Sequence, residues 1–493
     1  MDFLFNLDRL DKRGLQKQLC DQISKFIMDG KIAPNVIMPS SRKLANQLGV
    51  SRNTVTLAYE LLQGDGFLLS QERKGYYVNP EVIDYITTAH ERSKRLQNGY
   101  VDTVNWQEKL NQPEEKQRNI TKPKNWRDFK YSFIYGQTDP SLFPVHHWRE
   151  CWKDAVSIQE ITDWSQDRID RDDPLLIEQI RSRLITRRGL WVDESEILVT
   201  VGAQNALYMA MKMLLNSDST FGLEEPGYPD ARNIANEFTS NLKCLKIDDQ
   251  GLIIDDQLKS CDLVFTTPSH QSPTTVTMPI HRRQHLIEMA KEHDFLIIED
   301  DYGAETNFAE APLPALKSYD KYGRVIYLGS MSKTLAPGIR LGYLIGPKKF
   351  IQKARALRRL IMRHPPANNQ RAIAYFLERG YYNRLLRNLT ESNHKKWQLC
   401  YRLLQEKLPG WHILPTKSGS SFWLEGPKHF DTSKLMNLCM EDNALIETGD
   451  VHFHQHHRPQ NCFRIGYSYI PIDRIPTGID IIAHNVKKLS NHD

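Results

Sequence analysis

Apolar residues recur at helical spacing through roughly the first eighty positions. Leu15, Leu19, Ile23, Phe26 and Ile27 predict one helix, which Gly30 ends. Ser41 is placed to cap a short helix through Gln47, Gly49 to make a turn, and Ser51 to cap a second helix reaching about Gln63. Val55, Ala58, Tyr59 and Leu62 then share an inward face, which turns Ser51, Arg52, Asn53, Thr54 and Thr56 outward near the helix start. Phe67 to Leu69 and Tyr76 to Val78 predict two short strands around QERKG, a hairpin with Lys74 and Gly75 at its tip. The pattern lapses from Glu81 to about Asp128, where the chain is polar and charge-mixed and carries Pro113 and Pro123, the marks of a linker. From about Tyr131 short apolar strands alternate with longer amphipathic segments, as in a parallel α/β sheet; Glu196–Thr200, Leu263–Thr266, Phe295–Glu299 and Val325–Leu328 are examples. The reading divides the chain into 1–80, a linker 81–128 and a large domain 129–493.

Composition narrows the class. The chain has 493 residues, 40% hydrophobic and 25% charged, enough for two or three globular domains. No apolar run approaches the roughly 18 residues that span a bilayer, and charges interrupt MDFLFNLDRLDKR where a signal peptide needs an apolar core. The expectation is a cytoplasmic protein without a membrane partner. Seven scattered cysteines with no C-x-x-C pair fit reduced thiols. A net charge of +5 is too small to identify a nucleic-acid binder, and residues 1–80 carry 11 basic against 8 acidic side chains, a net of +3. Any nucleic-acid binding would therefore have to rest on the placement of a few residues.

That placement is present in the head. Two capped helices about a glycine turn, followed by a small hairpin, are the layout of a winged helix-turn-helix, an α+β unit. Arg52 and Asn53, with Ser51 and Thr54, stand where a recognition helix meets base edges, and arginine and asparagine suit bidentate reading of guanine and adenine. Arg42 is placed over phosphate, and Lys74 and Gly75 approach the minor groove or backbone of a double-stranded operator.

The large domain offers a different chemistry. Lys333 follows the strand Val325–Leu328 in GSMSK, so its amine can project from a loop at a strand's C-terminal edge. Asp300 ends the strand FLIIED, where a carboxylate can keep a pyridine nitrogen protonated, and Tyr302 can hydrogen-bond a phenolic oxygen. Gly202, Ala203 and Gln204 open a predicted helix Asn205–Leu215 and can cradle phosphate with their backbone N–H groups, aided by Ser330 and Arg340. Tyr228, in EEPGYP, is a candidate stacking ring. Together these are the parts of a pyridoxal 5'-phosphate site with Lys333 as the Schiff-base lysine.

The runs PSSRKLA and GVSRNTV resemble the GntR-type regulator head. TPSHQSPT, IIEDDY and GSMSKTLAPGIRLGY extend the resemblance to the MocR subfamily, across nearly the whole chain outside the linker. The resemblance implies a type I aminotransferase-like fold for the large domain and a homodimer. It also implies that Arg464, in FRIGYS, meets the acid group of a small amino effector. The sequence departs from the family in three places. SQDRIDRDDPLL stands where a Tyr-Gly-x-Pro-x-Gly run is usual, so the tyrosine expected to reach a partner subunit's cofactor has no counterpart. EDDYGAET replaces EDDYDSEF, and Ser272 precedes Pro273 where related enzymes carry asparagine. His452, His454, His456 and His457 invite a metal reading, but no acidic or cysteine partner lies nearby in sequence, and a solvated loop or pocket rim is expected, with no metal. Two functions compete: a regulator sensing a small amino compound or the cofactor itself, and a working aminotransferase that carries a DNA-binding head.

Overall fold

The computed structural model describes residues 5–9, 11, 13–71, 74–82, 103–110, 117–303, 305, 307, 313–414, 419–454 and 458–490. The chain separates into two compact units, Met1–Pro113 and Glu114–Asp493.

In the first unit, α1 (Leu15–Met28), α2 (Ser41–Leu48) and α3 (Arg52–Gly64) pack about Leu19, Ile23, Ile27, Leu44, Val55, Ala58, Tyr59 and Leu62, all buried. Gly49 closes α2 in the left-handed conformation, φ 63°, which a side chain would resist. The cap of α2 differs from expectation by one residue. Ser40, not Ser41, is extended and accepts a hydrogen bond from the Lys43 amide, while Ser41 is already the first helical residue. A run of two serines cannot show which one leaves the helical conformation. β1 (Leu68–Gln71) and β2 (Gly75–Val78) pair antiparallel as the wing, and Leu68 and Val78 seal its base.

In the second unit, eight strands among the described residues form one sheet. They are β3 (Ile197–Thr200), β4 (Phe221–Glu225), β5 (Leu242–Asp248), β6 (Gly251–Leu252), β7 (Leu263–Thr266), β8 (Leu296–Asp300), β9 (Val325–Ser330) and β10 (Gly342–Ile345). Their order is β3-β10-β9-β8-β7-β4-β5-β6, parallel from β9 to β5, with β10 antiparallel to both its neighbours. β3, β7 and β10 are buried at every position, as strands covered on both faces must be. Register sets Leu328 beside Asp300, so β9 runs two residues past the end of β8, and the two strands deliver Asp300 and Ser330 to one edge. A smaller sheet holds β11 (His412–Ile413), β12 (Ser421–Glu425), β13 (Glu447–Thr448) and β14 (Cys462–Gly466), in the order β11-β12-β14-β13, with Arg464 opposite Glu447.

Two stretches that read as polar are built into this unit. In SQDRIDRDDPLL, Asp172 is buried between Arg355 and Arg358 and accepts the Val199 amide of β3, while Asp173 caps the helix Pro174–Gln179 and pairs with Arg371. The acidic run clamps the strand that leads to Gly202. The stretch from Arg118 to Lys122, read as linker, is fastened as well. The Arg118 carbonyl accepts from Arg232 and Asn233, and Asn119 accepts from Asn233.

Candidate functional site

The head presents its polar residues at the start of α3. The Ser51 hydroxyl accepts the Thr54 amide at 3.1 Å and shares a hydrogen bond with the Thr54 hydroxyl, so both side chains hold the helix end in place. Arg52 and Asn53 are exposed, and Arg52 Nε reaches the Ser41 hydroxyl at 3.3 Å, bridging α3 to the start of α2. Arg42, Lys74 and Gly75 are exposed too, the glycine at φ 94° in the wing turn. Arg9, which the sequence reading passed over, donates to the Gly49 carbonyl in the turn.

In the large unit a cavity of about 550 Å³ opens at the C-terminal edge of the parallel strands. Ala203, Gln204, Tyr228, Asp300, Tyr302, Ser330, Lys333, Arg340 and Arg464 all line it. Gly202 begins the helix α4 (Gly202–Leu214), which starts three residues earlier than expected, so the three proposed cradle residues form its first turn. The glycine is required there: at φ 77° its absent Cβ would fall 3.1 Å from the Arg340 guanidinium. Arg340 itself holds φ 50°, an uncommon backbone for a side-chain-bearing residue, and donates to the Val201 carbonyl. The cation thus stands over a helix N-terminus, where the first amides have no partner within the helix.

Burial and neighbouring charge set the acid–base state of the cavity. Burial pushes Asp300 up to about 7, with Asp301 adding repulsion and Lys333 opposing. One Asp300 oxygen has no hydrogen-bond partner among the described residues. Asp301 goes the other way: burial raises it, but the Arg188 ion pair at 2.7 Å and the Tyr327 hydroxyl bring it below its ordinary value. Burial lowers Lys333 to about 8, helped by the cations Arg464 and Lys122 and opposed by Glu447 and Asp300. Its amine lies 4.3 Å from the centre of the Tyr135 ring, and a Cβ on Gly136 would come within 2.8 Å of it. The Tyr228 hydroxyl lies 2.9 Å from an Asp230 carboxylate oxygen and 3.0 Å from the Gln204 amide, which fixes the ring.

Three residues that sequence reasoning missed line this cavity, and a fourth, His270, lines a smaller hollow beside it. Tyr135 packs its ring against both Arg464 and Lys333, Glu447 pairs with Arg464 at 3.0 Å, and Lys122 donates to the Tyr135 carbonyl at 2.6 Å. His270 is buried with both ring nitrogens unpartnered among the described residues, and burial beside Arg464 and Lys333 lowers it to about 4. The run YSFIYGQTDP, with a tyrosine beside a glycine just after a strand, was the available signal for the first.

The two described members of the histidine run take different partners. His452 is buried with Nδ1 against the Gly227 carbonyl at 3.0 Å, and His454 donates its amide to the Glu225 carboxylate. His456 and His457 lie outside the described residues. A cluster of possible metal ligands occurs elsewhere, at His146, His147 and Glu150, where Glu150 already pairs with Arg379 and accepts from the Tyr381 hydroxyl. Among the described residues no helix is long and apolar enough to cross a membrane.

Comparison with known proteins matches residues 15–78 to the gntR family of bacterial regulatory proteins and residues 142–480 to aminotransferase class I and II, a domain that typically binds pyridoxal phosphate. The chain is 37% identical over 476 residues to the HTH-type transcriptional regulator TauR of Rhodobacter capsulatus, covering 96% of this chain and 97% of that one. It is 28% identical over 406 residues to the probable rhizopine catabolism regulatory protein MocR of Rhizobium meliloti, covering 82% and 80%. Its fold is like that of the α-aminoadipate aminotransferase LysN of Thermus thermophilus, with a TM-score of 0.71, 24% identity, and coverage of 79% of this chain and 100% of that one.

Proposed function

This chain belongs to the MocR-type regulators, DNA-binding transcriptional regulators in which a GntR-type head is fused to a class I and II aminotransferase domain, and from that premise we propose that it is a pyridoxal-phosphate-dependent sensor of a small amino compound or of the cofactor itself. The observation that carries the reading is the buried carboxylate of Asp300, one oxygen of which has no hydrogen-bond partner among the described residues, facing the same cavity as the Lys333 amine. A protonated pyridine nitrogen is the partner such a carboxylate lacks, because isolated buried charge is costly and a hydrogen-bonded cation offsets that cost.

The other residues fit the same occupant. The first turn of α4 and Arg340 supply the backbone donors and the guanidinium that a phosphate takes, with the Ser330 hydroxyl on the same wall. Lys333, buried and lowered to about 8, holds an appreciable neutral fraction near neutral pH and is the amine suited to bond an aldehyde. When bound, the cofactor supplies that aldehyde and an electron-withdrawing ring. Tyr302 orients the phenolic side, Tyr228 covers the ring, and Arg464 faces the ligand's acid group. Arg42, Ser51, Arg52, Asn53, Thr54, Lys74 and Gly75 form the operator surface. A homodimer, as the family resemblance implies, provides two such surfaces for two half-sites. Ligand binding resets DNA affinity by its differential affinity for two arrangements of the protein.

The test is footprinting on DNA upstream of the protein's own and neighbouring genes, with and without pyridoxal phosphate and candidate amines. A footprint that changes with cofactor and amine together supports the reading, and one indifferent to both overturns it. The competing reading, a working aminotransferase, rests on the same cavity residues and predicts repeated turnover of amino donors rather than a stoichiometric response.

A further inference from the structure

A hollow of about 30 Å³ lies beside the main cavity, and Lys333, Tyr135 and Tyr302 line both. His270 lines the smaller one alone. The histidine follows β7 on a loop that is firmly held. Its amide donates to the Thr267 carbonyl, the Ser269 hydroxyl accepts from Arg188 at 2.8 Å, and the Ser269 carbonyl accepts from the Thr277 hydroxyl. The backbone around it leaves a slot for the ring. A Cβ at Gly419 would fall 1.9 Å from its Cε1 and 2.3 Å from its Nε2, and one at Gly303 would fall 3.3 Å from its Cδ2. Only 3% of the residue is exposed, and its ring meets the Tyr302 ring edge-on with centres 5.7 Å apart.

That slot would take an aromatic hydrocarbon ring as well. A neutral imidazole carries one N–H donor and one acceptor nitrogen. Both nitrogens of His270 are buried and neither has a partner among the described residues, which costs stability that a phenyl ring would not cost. Packing therefore does not account for the histidine, whereas a hydrogen-bonding molecule in the hollow does. The hollow exceeds the roughly 10–15 Å³ that one water needs. Few titratable groups face it. The Tyr135 and Tyr302 hydroxyls hydrogen-bond each other, and among the described lining residues Lys333 is the one cation and there is no carboxylate. Arg464 acts on the ring from the main cavity. Burial and these two cations lower His270 to about 4, so near pH 7 the ring is neutral and one nitrogen is free to accept a proton.

We propose that a water in this hollow joins His270 to the Lys333 nitrogen, and that His270 is a positioning residue through which that nitrogen exchanges protons. The proposal rests on the cofactor reading and deepens it. When the neutral Lys333 amine bonds an aldehyde carbon, a C=N bond forms as the C=O bond breaks. The amine sheds two protons, the departing oxygen leaves with both as water, and nothing is oxidised or reduced. His270 takes a proton from the nitrogen through the bridging water and returns it to the oxygen by the same route. Such a carrier speeds bond formation and its reversal alike, so it sets how fast the sensor loads and unloads without shifting how much is loaded.

The test mixes cofactor-free protein with pyridoxal phosphate and follows the visible absorbance of the lysine-bound cofactor. If the unaltered protein develops no such band, the cofactor reading itself has failed. With the band present, His270→Phe should slow its formation at saturating pyridoxal phosphate at least tenfold, while the half-saturating concentration stays within about twofold. The ratio of rates in ordinary and heavy water should also rise in H270F, because proton movement then limits the step. An unchanged rate in H270F overturns the role of His270. So does a loss of rate matched by an equal loss of affinity, or a slower rate with an unchanged ratio, since each marks a ring that only packs. Should H270F not fold, His270→Asn, which is smaller than the ring and does not accept a proton, is read by the same three measures.

Discussion

The recognition helix and the large-unit cavity both gather polar side chains, but with opposite consequences for stability. At the start of α3 the polar groups are at the surface, and those with partners use them to complete the helix end, as the Ser51 hydroxyl does for the Thr54 amide. They are solvated before and after folding, so they cost little and the cap stabilises. In and beside the cavity, Asp300, Lys333, Arg464 and His270 are buried or nearly so, His270 lining a smaller adjoining hollow with Tyr302 and Lys333, and three of the four keep a polar atom unpartnered among the described residues. Burial displaces Asp300, Lys333 and His270 from their ordinary pKa values in the direction of the neutral form. The difference teaches where a ligand is needed: a surface that is stable as it stands can wait for DNA, whereas a cavity that holds unbalanced charge is a stability cost that its occupant relieves.

The sharpest break of that contrast is at Lys333. Lys333→Ala should abolish the visible absorbance of cofactor-loaded protein outright and with it any response to amines, while operator binding by the head persists. An unchanged spectrum in K333A removes the assignment of the amine. Next is Asp300. Its carboxyl binds a proton more tightly in the folded chain, at about 7, than at its ordinary 3.8, so the cofactor-free protein loses stability as pH rises through that interval. Asp300→Asn should remove that slope and raise the melting temperature of cofactor-free protein at pH 8. The same change should weaken cofactor binding by about 3–5 kcal/mol, since it deprives a buried pyridinium of its counter-charge. Cofactor-free D300N that melts below the unaltered protein at pH 8 would contradict the comparison.

How much of this could be read in advance follows the same division. The head was legible almost to the residue because its signals are local: a glycine turn, serine caps, and the 3.6 period of Val55, Ala58, Tyr59 and Leu62. Asp300 and Lys333 were legible because a strand end is a local feature, and adjacent parallel strands bring their ends to one edge. Lys122, Tyr135, Glu447 and His270 were not. Lys122 sits in a polar stretch that is anchored by residues more than a hundred positions away, as the Arg118–Asn233 contact illustrates, and nothing in the local pattern marks it. Glu447 meets Arg464 across a strand pairing seventeen positions apart, a register that alternation alone does not fix for a two-residue strand. SQDRIDRDDPLL read as a departure from family pattern because the arginines that employ its acids lie far along the chain.

On the head, Arg52→Ala tests whether the exposed face reads sequence. If the guanidinium meets a base edge in bidentate fashion, specific operator binding weakens by about 1–3 kcal/mol while binding to random DNA changes little. Equal loss on both sequences makes Arg52 a phosphate contact. Its hydrogen bond to the Ser41 hydroxyl holds the side chain across the front of α2, so Ser41→Ala should give a weaker effect in the same direction.

The smallest effects separate the three serines. Ser40 and Ser51 each accept an amide from the first turn of the helix they open, so Ser40→Ala and Ser51→Ala should each cost about 1 kcal/mol in urea unfolding of the head. Ser41 is helical and caps nothing, so Ser41→Ala should change stability by no more than a few tenths of a kcal/mol, alanine being the better helix former. A cost at Ser41 with none at Ser40 would move the start of α2 and, with it, the placement of Arg42. The sign matters more than the size: removing the polar cap lowers stability in the head, whereas removing the buried charge at Asp300 raises it. If both replacements moved stability the same way, surface caps and cavity charges would not be distinguishable by their cost, and the case for an occupant in the cavity would have to rest on spectra alone.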